Sequence, residues 1–412
     1  MLKFRLWGTV LWLGLALIVW GQWPLRATAA TDPATEVKAA YVVDANSGQA
    51  IYADHADKKL PIASLSKLMT LYLVTQAVRK GQVKWTDNVP ISADVRKLAA
   101  SPTLSTMPMA KDEKFTVKEL FAATLVGSSN SSAIALGELI GGSNAKFIQL
   151  MNQQAARWQL AAHFVSASGL DNTDLIRYHY NLPGTSNQAQ NLVSARAITT
   201  VARQLIKDYP AVIDIANHGS IKIHRYRVAT LVQILKGQKH YDAAVPVDGL
   251  KTGYTAQAGA CLVATFKQGG RRLIATTLGG TWKYTANAKL RLQTQQQERY
   301  HNVAPATMKY RLPGTQTTLK LVAKSSVKRW ENVQQPFRQT QTAAVPVQRQ
   351  QVNYLAANTT VMRLRLTDPN SGTVTTVAYV SPKAQMIPGP MQQVAKATAT
   401  KHQLNLPLAF AN

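Results

Sequence analysis

Apolar and polar residues alternate in the segment YVVDANSGQAIYAD, residues 41–54, and this alternation predicts a β-hairpin. The turn-forming letters ANSG stand at its centre. The next segment, PIASLSKLMTLYLVTQAV, instead carries apolar residues at helical spacing: Ile62, Leu65, Leu68, Met69, Tyr72 and Leu73. This second pattern predicts a helix packed deep in the domain.

Helical patterning continues through the middle of the chain. It runs from Val117 to Ile140 and recurs in VSARAITTVARQLI around Ala197. Near Val245 a loop leads to KTGYT, expected to be an edge strand, and then to CLVATF and RRLIATTLGG, joined as a hairpin by KQGG. Strands at both ends of a helical middle predict an α+β domain whose terminal strands share one sheet.

Past about residue 300 the helical pattern stops. The segments TTLKLVAK, VMRLRLTD and TVTTVAYV alternate with turn residues and predict a smaller all-β domain. A chain of 412 residues is also long for one ordinary domain. We therefore expect domains at residues 31–300 and 301–385, followed by a tail at 386–412.

The N-terminal thirty residues have the pattern of a targeting segment. Lys3 and Arg5 precede an apolar run from Leu6 to Trp20, and the small residues Ala27-Thr28-Ala29 follow. Residues 1–30 are therefore predicted to be a signal peptide, with an uncleaved membrane anchor as the alternative. Both interpretations place the rest of the chain outside the cytoplasm, at the cell wall or the outer face of the plasma membrane.

The net charge of +27 indicates an anionic partner. Because the chain is predicted to be exported, nucleic acid is not expected as this partner, and wall polymers or a membrane surface are favoured. From His301 onward the chain has thirteen Lys and Arg but only two acidic residues, Glu331 and Asp368. This excess of positive charge fits either a solvated surface or a domain held near anionic wall polymers or lipid headgroups. The single cysteine, Cys261, excludes an internal disulfide, and its setting in CLVATF predicts a buried strand residue.

Ser64 and Lys67 form the first candidate for chemistry. Residues three apart on a helix share a face, so the two side chains can form a hydrogen bond. Serine is a weak nucleophile until a base removes its proton, and lysine acts as that base only when burial or a nearby cation lowers its pKa. The spacing alone is weak evidence, because it recurs at Ser325 and Lys328.

Two further elements strengthen this hypothesis. LVGSSNSSAIAL contains Ser128-Ser129-Asn130, and VDGLKTGYT contains Lys251-Thr252-Gly253. A glycine on an edge strand allows close approach of a peptide backbone, and a lysine that faces a groove is expected to contribute little packing. The three elements in this order indicate an active site.

The set of serine-x-x-lysine, serine-x-asparagine and lysine-threonine-glycine resembles the low-molecular-mass penicillin-binding proteins of the D-alanyl-D-alanine carboxypeptidase type. The resemblance runs from Glu36 to Gly280 and rests on VVDANSGQAIYADHADKKLPIASLSKLMT, SSNSSA, ASGLDN and VDGLKTGYTAQAGACLVAT. Ser129 stands where class A β-lactamases have aspartate, and their deacylating glutamate has no counterpart. HRYRVATLVQILKG also lacks the asparagine-rich sequence usual in carboxypeptidases.

The resemblance implies a penicillin-binding, β-lactamase-like fold with an antiparallel sheet and helices. It implies acyl transfer on peptidoglycan stem peptides, with β-lactams as covalent inhibitors and no metal or organic cofactor. Its implied catalytic residues are Ser64 as nucleophile, Lys67 as base and Ser128 as proton relay. Its implied substrate-binding residues are Asn130, Lys251, Thr252, Gly253 and Thr255, with the backbone N–H groups of Ser64 and Tyr254 as the oxyanion hole.

Three other functions stay open at this point. A class A β-lactamase carries the same motifs, and a D,D-endopeptidase or transpeptidase differs only in its leaving group or acceptor. A wall-binding module with a degenerate catalytic domain is the non-enzymatic alternative, against which the three intact motifs argue.

We predict that the mature chain begins near Ala30 or Thr31 and leaves cell envelopes in molar salt without detergent. The tail, with Pro388, Pro390 and Pro407, has no clean apolar stripe for a surface helix, so retention should be electrostatic. Screening lengths fall from about 10 Å at 0.1 M to about 3 Å at 1 M salt. N-terminal sequencing of the salt extract checks this, and recovery only in detergent with Met1 or Leu2 retained would identify residues 6–20 as an anchor.

Overall fold

The computed structural model describes residues 36–282, 284–313, 317–344 and 354–387. The predicted signal peptide and residues 388–412 of the predicted tail lie outside these ranges. In chain order the strands up to residue 280 are β1 (Ala39–Asp44), β2 (Ala50–Asp54), β3 (Leu60–Pro61), β4 (Asn88–Val89), β5 (Phe115–Thr116), β6 (Ala162–His163), β7 (Leu192–Val193), β8 (Ser220–Ile223), β9 (Tyr226–Ala229), β10 (Gly249–Thr255), β11 (Gly259–Gln268) and β12 (Arg271–Gly280).

Helices fill the middle of the chain. They are α1 (Lys67–Arg79), α2 (Ala93–Ala99), α3 (Val117–Val126), α4 (Asn130–Gly141), α5 (Asn144–Arg157), α6 (Asn172–Leu175), α7 (Ala195–Asp208), α8 (Val212–Ala216) and α9 (Thr285–Gln297). The chain then continues as β13 (Glu298–Asn302), β14 (Thr307–Arg311), β15 (Thr318–Ala323), β16 (Lys328–Asn332), β17 (Arg338–Ala343), β18 (Tyr354–Leu355), β19 (Thr360–Thr367), β20 (Val374–Val380) and β21 (Gln385–Met386).

The main sheet has five antiparallel strands in the order β10-β11-β12-β1-β2. Strand β1 pairs with β12, so that Val42 lies opposite Ala275. This pairing confirms that strands from the two ends of the helical region share one sheet, and β10 is the edge strand predicted from KTGYT. The predicted α+β class is confirmed, as are the hairpins β1–β2 and β11–β12.

Helix α1 is the central helix of the core. Leu68, Met69, Leu71 and Val74 have no exposed surface, and the helix packs against α3, α4 and α7. Because neighbours cover it on several sides, its sequence is apolar around most of its circumference.

The helical region predicted from Val117 to Ile140 is two helices. Helix α3 begins with a capping box, in which the Thr116 hydroxyl accepts from the Glu119 N–H while the Glu119 carboxylate accepts from the Thr116 N–H. It ends at Gly127, and α4 starts at Asn130 with Ser129 as its N-cap. The break places the buried Ser128-Ser129-Asn130 motif at the start of α4.

Helix α7 confirms the helix predicted around Ala197, whereas α9 was not predicted. The α9 sequence TANAKLRLQTQQQ is rich in glutamine and has few apolar residues with which to form a stripe. Its buried face consists of Ala286, Leu290 and the polar side chains Asn287, Arg291 and Thr294.

The three segments predicted to be strands beyond residue 300 form β15, β19 and β20. They belong to a second five-stranded sheet in the order β14-β15-β20-β19-β17. One face of this sheet packs into an apolar cluster that includes Leu321, Leu364, Leu366 and Tyr379. Strand β13, which pairs with β16, runs through the boundary predicted at residue 300, and the predicted domain limits remain predictions.

Asp44, at the end of β1, binds the strand region beyond residue 300 to the main sheet. Its buried carboxylate accepts from the Trp330 indole Nε1 at 2.7 Å and from Arg271 Nη2 at 2.8 Å. Burial opposes ionisation of Asp44, but the hydrogen bonds from Arg271 and Trp330 outweigh burial and lower its pKa to about 2. Gln49 adds two hydrogen bonds to the Trp330 backbone, so the turn between β1 and β2 contacts both the side chain and the backbone of Trp330.

Trp330→Phe should lower the free energy of unfolding by about 1.5–3 kcal/mol, the range for a lost hydrogen bond to a charged group. Phenylalanine keeps most of the apolar packing but removes the donor to Asp44. Urea unfolding followed by circular dichroism measures the change. Trp282→Phe is the matched control, because the Trp282 side chain is 74% exposed, and it should stay within about 0.5 kcal/mol of wild type. Equal losses in both variants would refute the role of the indole.

Candidate active site

Ser64 lies in a 3-10 turn, Ala63–Ser66, that leads directly into α1. Ala63 holds this turn in the left-handed region, with φ of +46°, and its carbonyl accepts a hydrogen bond from the Ser66 hydroxyl at 2.7 Å. Within this turn Ser64 is half-buried, whereas its neighbours Ala63 and Leu65 are buried. The predicted proximity of Ser64 and Lys67 is confirmed, since Lys67 Nζ lies 2.8 Å from Ser64 Oγ.

Lys67 is fully buried, and its amine is the centre of the site. Besides Ser64, Nζ donates to Asn130 Oδ1 at 2.7 Å and to the Ser168 carbonyl at 2.6 Å. None of these three partners is a carboxylate. The amine therefore has good hydrogen-bond partners but no negative charge to compensate an ammonium group.

Burial lowers the pKa of Lys67 well below its ordinary value, and the positive charge of Lys251 lowers it further. A neutral amine has two N–H donors and one lone pair. Two of its partners, the Asn130 amide oxygen and the Ser168 carbonyl, can only accept. The lone pair is thus left for the hydroxyl proton of Ser64, which is the arrangement that a general base requires.

Asn130 and Ser128 come from the break between α3 and α4. Asn130 is the first residue of α4, and because its Oδ1 accepts from Lys67, its Nδ2 is the half of the amide left to donate. Ser128 is 1% exposed and adopts φ of +57°. Ser129 caps α4, since its hydroxyl accepts hydrogen bonds from the backbone N–H groups of Ser132 and Met107.

Lys251 lies on edge strand β10, and its Nζ donates to the Thr252 carbonyl at 3.0 Å. Its side chain is only 1% exposed, so the expectation that it contributes little packing is wrong. The strand packs against the turn that carries Ser64.

Gly253 lets β10 approach that turn. A Cβ atom at this position would lie 2.6 Å from the Ile62 carbonyl oxygen, which is closer than such contacts allow. The backbone that lies against this glycine is that of the chain itself, and its predicted role in the approach of a substrate backbone remains a prediction. Its effect on the site is to set the distance between β10 and the Ser64 turn.

The other predicted residues of β10 lie at its end. Thr252 is 4% exposed, whereas the Tyr254 side chain is 61% exposed. The Thr255 hydroxyl accepts a hydrogen bond from the Ala258 N–H at 3.1 Å. The hydrogen-bonded cluster thus contains Ser64, Lys67 and Asn130, and the substrate-binding roles of the β10 residues remain predictions.

The sequence analysis missed the Ser168 carbonyl as a partner of Lys67. Its loop is held by Asn191, whose Oδ1 accepts from the Val165 and Ser166 N–H groups, and by the Thr70 hydroxyl, which donates to the Ala167 carbonyl. A backbone acceptor leaves no residue-type signal. The available signal was ASGLDN, a motif of the resemblance to which no role was given.

Gly169 allows this loop to reach the site. It adopts φ of +81°, and a Cβ atom there would lie 2.1 Å from the Ala63 carbonyl oxygen. Any other residue would push the loop away from the Ser64 turn and lengthen the hydrogen bond between Lys67 and Ser168.

Comparison with known proteins agrees with this geometry. Residues 26–281 match the family model of the D-alanyl-D-alanine carboxypeptidases, Peptidase_S11, and the chain belongs to this family. The chain is 32% identical over 251 residues to the D-alanyl-D-alanine carboxypeptidase DacC of Escherichia coli, which covers 60% of this chain and 57% of that protein. It is 28% identical over 262 residues to DacF of Bacillus subtilis, covering 63% and 61%. The chain thus spans about three fifths of the length of these curated relatives.

Two solved structures extend the comparison. The peptidoglycan synthesis regulatory factor PBP3 of Streptococcus pneumoniae is 28% identical and superimposes with a TM-score of 0.66, over 85% of this chain and 99% of that one. Penicillin-binding protein D2 of Listeria monocytogenes, determined with bound cefotaxime, is 27% identical with a TM-score of 0.50, over 62% and 94%. Among the described residues of the present chain, no helix combines the length and apolarity needed to cross a membrane.

Lys251→Met should move the acidic limb of the acylation rate to higher pH. With Lys67 in its predicted role as base, acylation needs the neutral amine and is lost as pH falls through the pKa of Lys67. Removal of the Lys251 charge raises that pKa, and the overall rate should also fall severely. The pH dependence of labelling by a fluorescent penicillin measures both effects.

Methionine keeps much of the buried stem of Lys251, and circular dichroism verifies the fold. Lys251→Arg keeps a charge at a displaced position and should retain part of the activity. Lys146→Met, at an exposed position on α5, is the control that should leave the profile unchanged. A wild-type pH profile and rate in Lys251→Met would show that the charge of Lys251 does not act on Lys67.

Proposed function

We propose that this protein is a serine-type D-alanyl-D-alanine carboxypeptidase, which removes the terminal D-alanine from peptidoglycan stem pentapeptides. The observation that carries the proposal is the Lys67 amine, buried without a carboxylate and directed at the Ser64 hydroxyl at 2.8 Å. Family membership supports the substrate class, and the cefotaxime-bound structure of penicillin-binding protein D2 supports β-lactams as covalent inhibitors.

The first step forms an acyl-enzyme. Lys67 Nζ takes the proton of Ser64 while Oγ attacks the carbonyl carbon of the penultimate D-alanine. The backbone N–H groups of Ser64 and Tyr254 stabilise the oxyanion, and the loss of one such donor typically costs about 2.7–4 kcal/mol of transition-state stabilisation. The proton passes from Lys67 through the Ser128 hydroxyl to the leaving nitrogen, and D-alanine departs as the carbon–nitrogen bond breaks.

The second step is hydrolysis. Water attacks the ester carbonyl, its proton returns through Lys67 to Ser64 Oγ, and the shortened peptide is released. Asn130 Nδ2 binds a substrate amide oxygen. Lys251, Thr252 and Thr255 hold the terminal carboxylate before cleavage, through the ammonium charge and the two hydroxyl donors.

Location follows from the substrate. A peptidoglycan hydrolase acts outside the cytoplasm, which agrees with the signal peptide predicted for residues 1–30. We propose that the mature chain is secreted and associates with the wall or with the outer face of the plasma membrane.

An endopeptidase activity is the second candidate. The D-alanyl-D-alanine endopeptidase of Escherichia coli is 25% identical over 266 residues, which cover 76% of that protein. Release of free D-alanine from an acylated L-lysyl-D-alanyl-D-alanine peptide, compared with cleavage of cross-linked dimers, separates the two activities. The carboxypeptidase proposal requires the first reaction to be faster.

Ser64 should be the residue that β-lactams acylate. Intact-mass spectrometry after penicillin treatment should show one adduct on the wild-type chain and none on Ser64→Ala. Ser66→Ala is the matched control, because its hydroxyl bonds the Ala63 carbonyl within the same turn, and this variant should still be acylated. The adduct should persist for minutes or longer, whereas rapid loss would indicate a β-lactamase. An adduct of the same mass on Ser64→Ala would refute the assignment of the nucleophile.

A further inference from the structure

The second five-stranded sheet has one face in the core and one face in solvent. The solvent face carries exposed cations on several strands. Six of them are here called the basic face: Lys309, Lys320, Lys324, Arg338, Arg363 and Arg365. Strand pairing places them on the same side. Arg363 and Lys324 both lie beside Ala378 on neighbouring strands, and Lys309 lies directly opposite Lys320.

Like charges directly opposite each other destabilise an antiparallel pair. Lys309 and Lys320 form such a pair. Arg363 and Arg365 are two residues apart on one strand, about 7 Å. The ion pairs found among the described residues include none of the six cations. A surface that served only solubility could disperse its cations, whereas this face concentrates them.

The two acidic side chains of this region do not neutralise the basic face. Glu331 is 9% exposed and pairs with His301 at 2.8 Å. Asp368 accepts hydrogen bonds from Asn370 and Ser371 within its own turn. The charge of the face is therefore available to a partner.

The outward-facing residues of strand β20 are uncharged and form a neutral strip between cations on the neighbouring strands. Thr376 and Ala378 point outward along it, with Arg365 and Arg363 on one side and Lys324 on the other. At about 4.8 Å per strand, the cations that flank Ala378 lie about 10 Å apart at their Cα atoms. A linear polymer lying along this strip can direct its anionic groups toward the cations on both sides.

The face lacks the features that other anionic partners use. Single-stranded nucleic acid is held by exposed aromatic rings, but the two tyrosines of this sheet, Tyr310 and Tyr379, are buried. Membrane surfaces are bound by large apolar side chains beside the cations. Here threonines, Ala378 and the partly buried Val322 lie between the cations, and Val374, 40% exposed, lies at the margin of the face.

We propose that the basic face binds a linear polyanion without aromatic groups, such as an extracellular polymer with phosphodiester or carboxylate groups along its length. Binding is electrostatic and extends over several repeat units, because the six cations span four of the five strands. It is independent of the acyl-transfer site and goes beyond the proposed enzymatic function, since it concerns how the enzyme is held near its substrate.

The test uses the full chain and fluorescently labelled linear polyphosphate as the probe. Lys320→Gln, Arg363→Gln and Arg365→Gln together should raise the Kd on the order of 100-fold at 0.1 M salt, and the slope of log Kd against log salt should fall by about 3. Lys118→Gln, Lys146→Gln and Lys207→Gln remove the same charge from exposed positions on three helices and should change Kd less than about threefold. Penicillin labelling should be unchanged in both triple variants, which separates this test from that of the proposed function.

Two results would overturn the proposal. Equal loss of polyphosphate binding in the two triple variants would show that net charge, and not the face, binds the polymer. If the face variant lost binding to vesicles of phosphatidylglycerol and phosphatidylcholine but bound polyphosphate like wild type, the partner would be a lipid surface.

Discussion

The burial of the Lys67 amine is the interaction on which the rest of the site depends. An ammonium group without a carboxylate is costly in a protein interior, so the folded chain favours the neutral amine. Three separate segments must then supply its hydrogen bonds: the Ser64 turn, the start of α4 and the loop that contains Ser168. Gly169 and Gly253 allow the loop and β10 to close on that turn, and the Asn191 side chain holds the loop in place. Residues from several parts of the chain therefore position one buried amine.

Residue periodicity predicted the elements that have a clear inside and outside. The hairpin β1–β2, the helices α1 and α7 and the edge position of β10 were predicted correctly, because each pairs an apolar face with a polar one or with a turn signal. Helix α9 was missed, since much of its buried face is polar. In the site, the spacing of Ser64 and Lys67 was sufficient to predict their hydrogen bond. The Ser168 carbonyl was not predicted, because every residue has a backbone carbonyl and the residue type gives no sign of its role. The burial of Lys251 also could not be predicted, because it depends on how the folded chain packs around β10 and not on the local sequence.

The region beyond residue 300 uses its second sheet differently on its two faces. One face forms an apolar cluster that includes Leu321 and Leu364, and the other carries the cations. Because side chains alternate between the two faces of a strand, the residues that stabilise the fold are distinct from those that determine the surface charge. Asp44 and Trp330 join this region to the main sheet through a carboxylate whose pKa is about 2, and the junction therefore stays ionised at any ordinary pH. A strongly basic chain here retains one of its few acids for an internal contact.

The pairing of β1 with β12 has a consequence for how the chain folds. Tyr41 lies opposite Thr276, so the centre of the main sheet cannot close until the helical region between them has been synthesised. Contacts between residues so distant in sequence slow folding, because the entropy of closing a long loop is lost before the contacts form. Until then the first hairpin has an unpaired apolar edge, which is a site for aggregation. The nascent chain should therefore need protection from other chains until β12 is available.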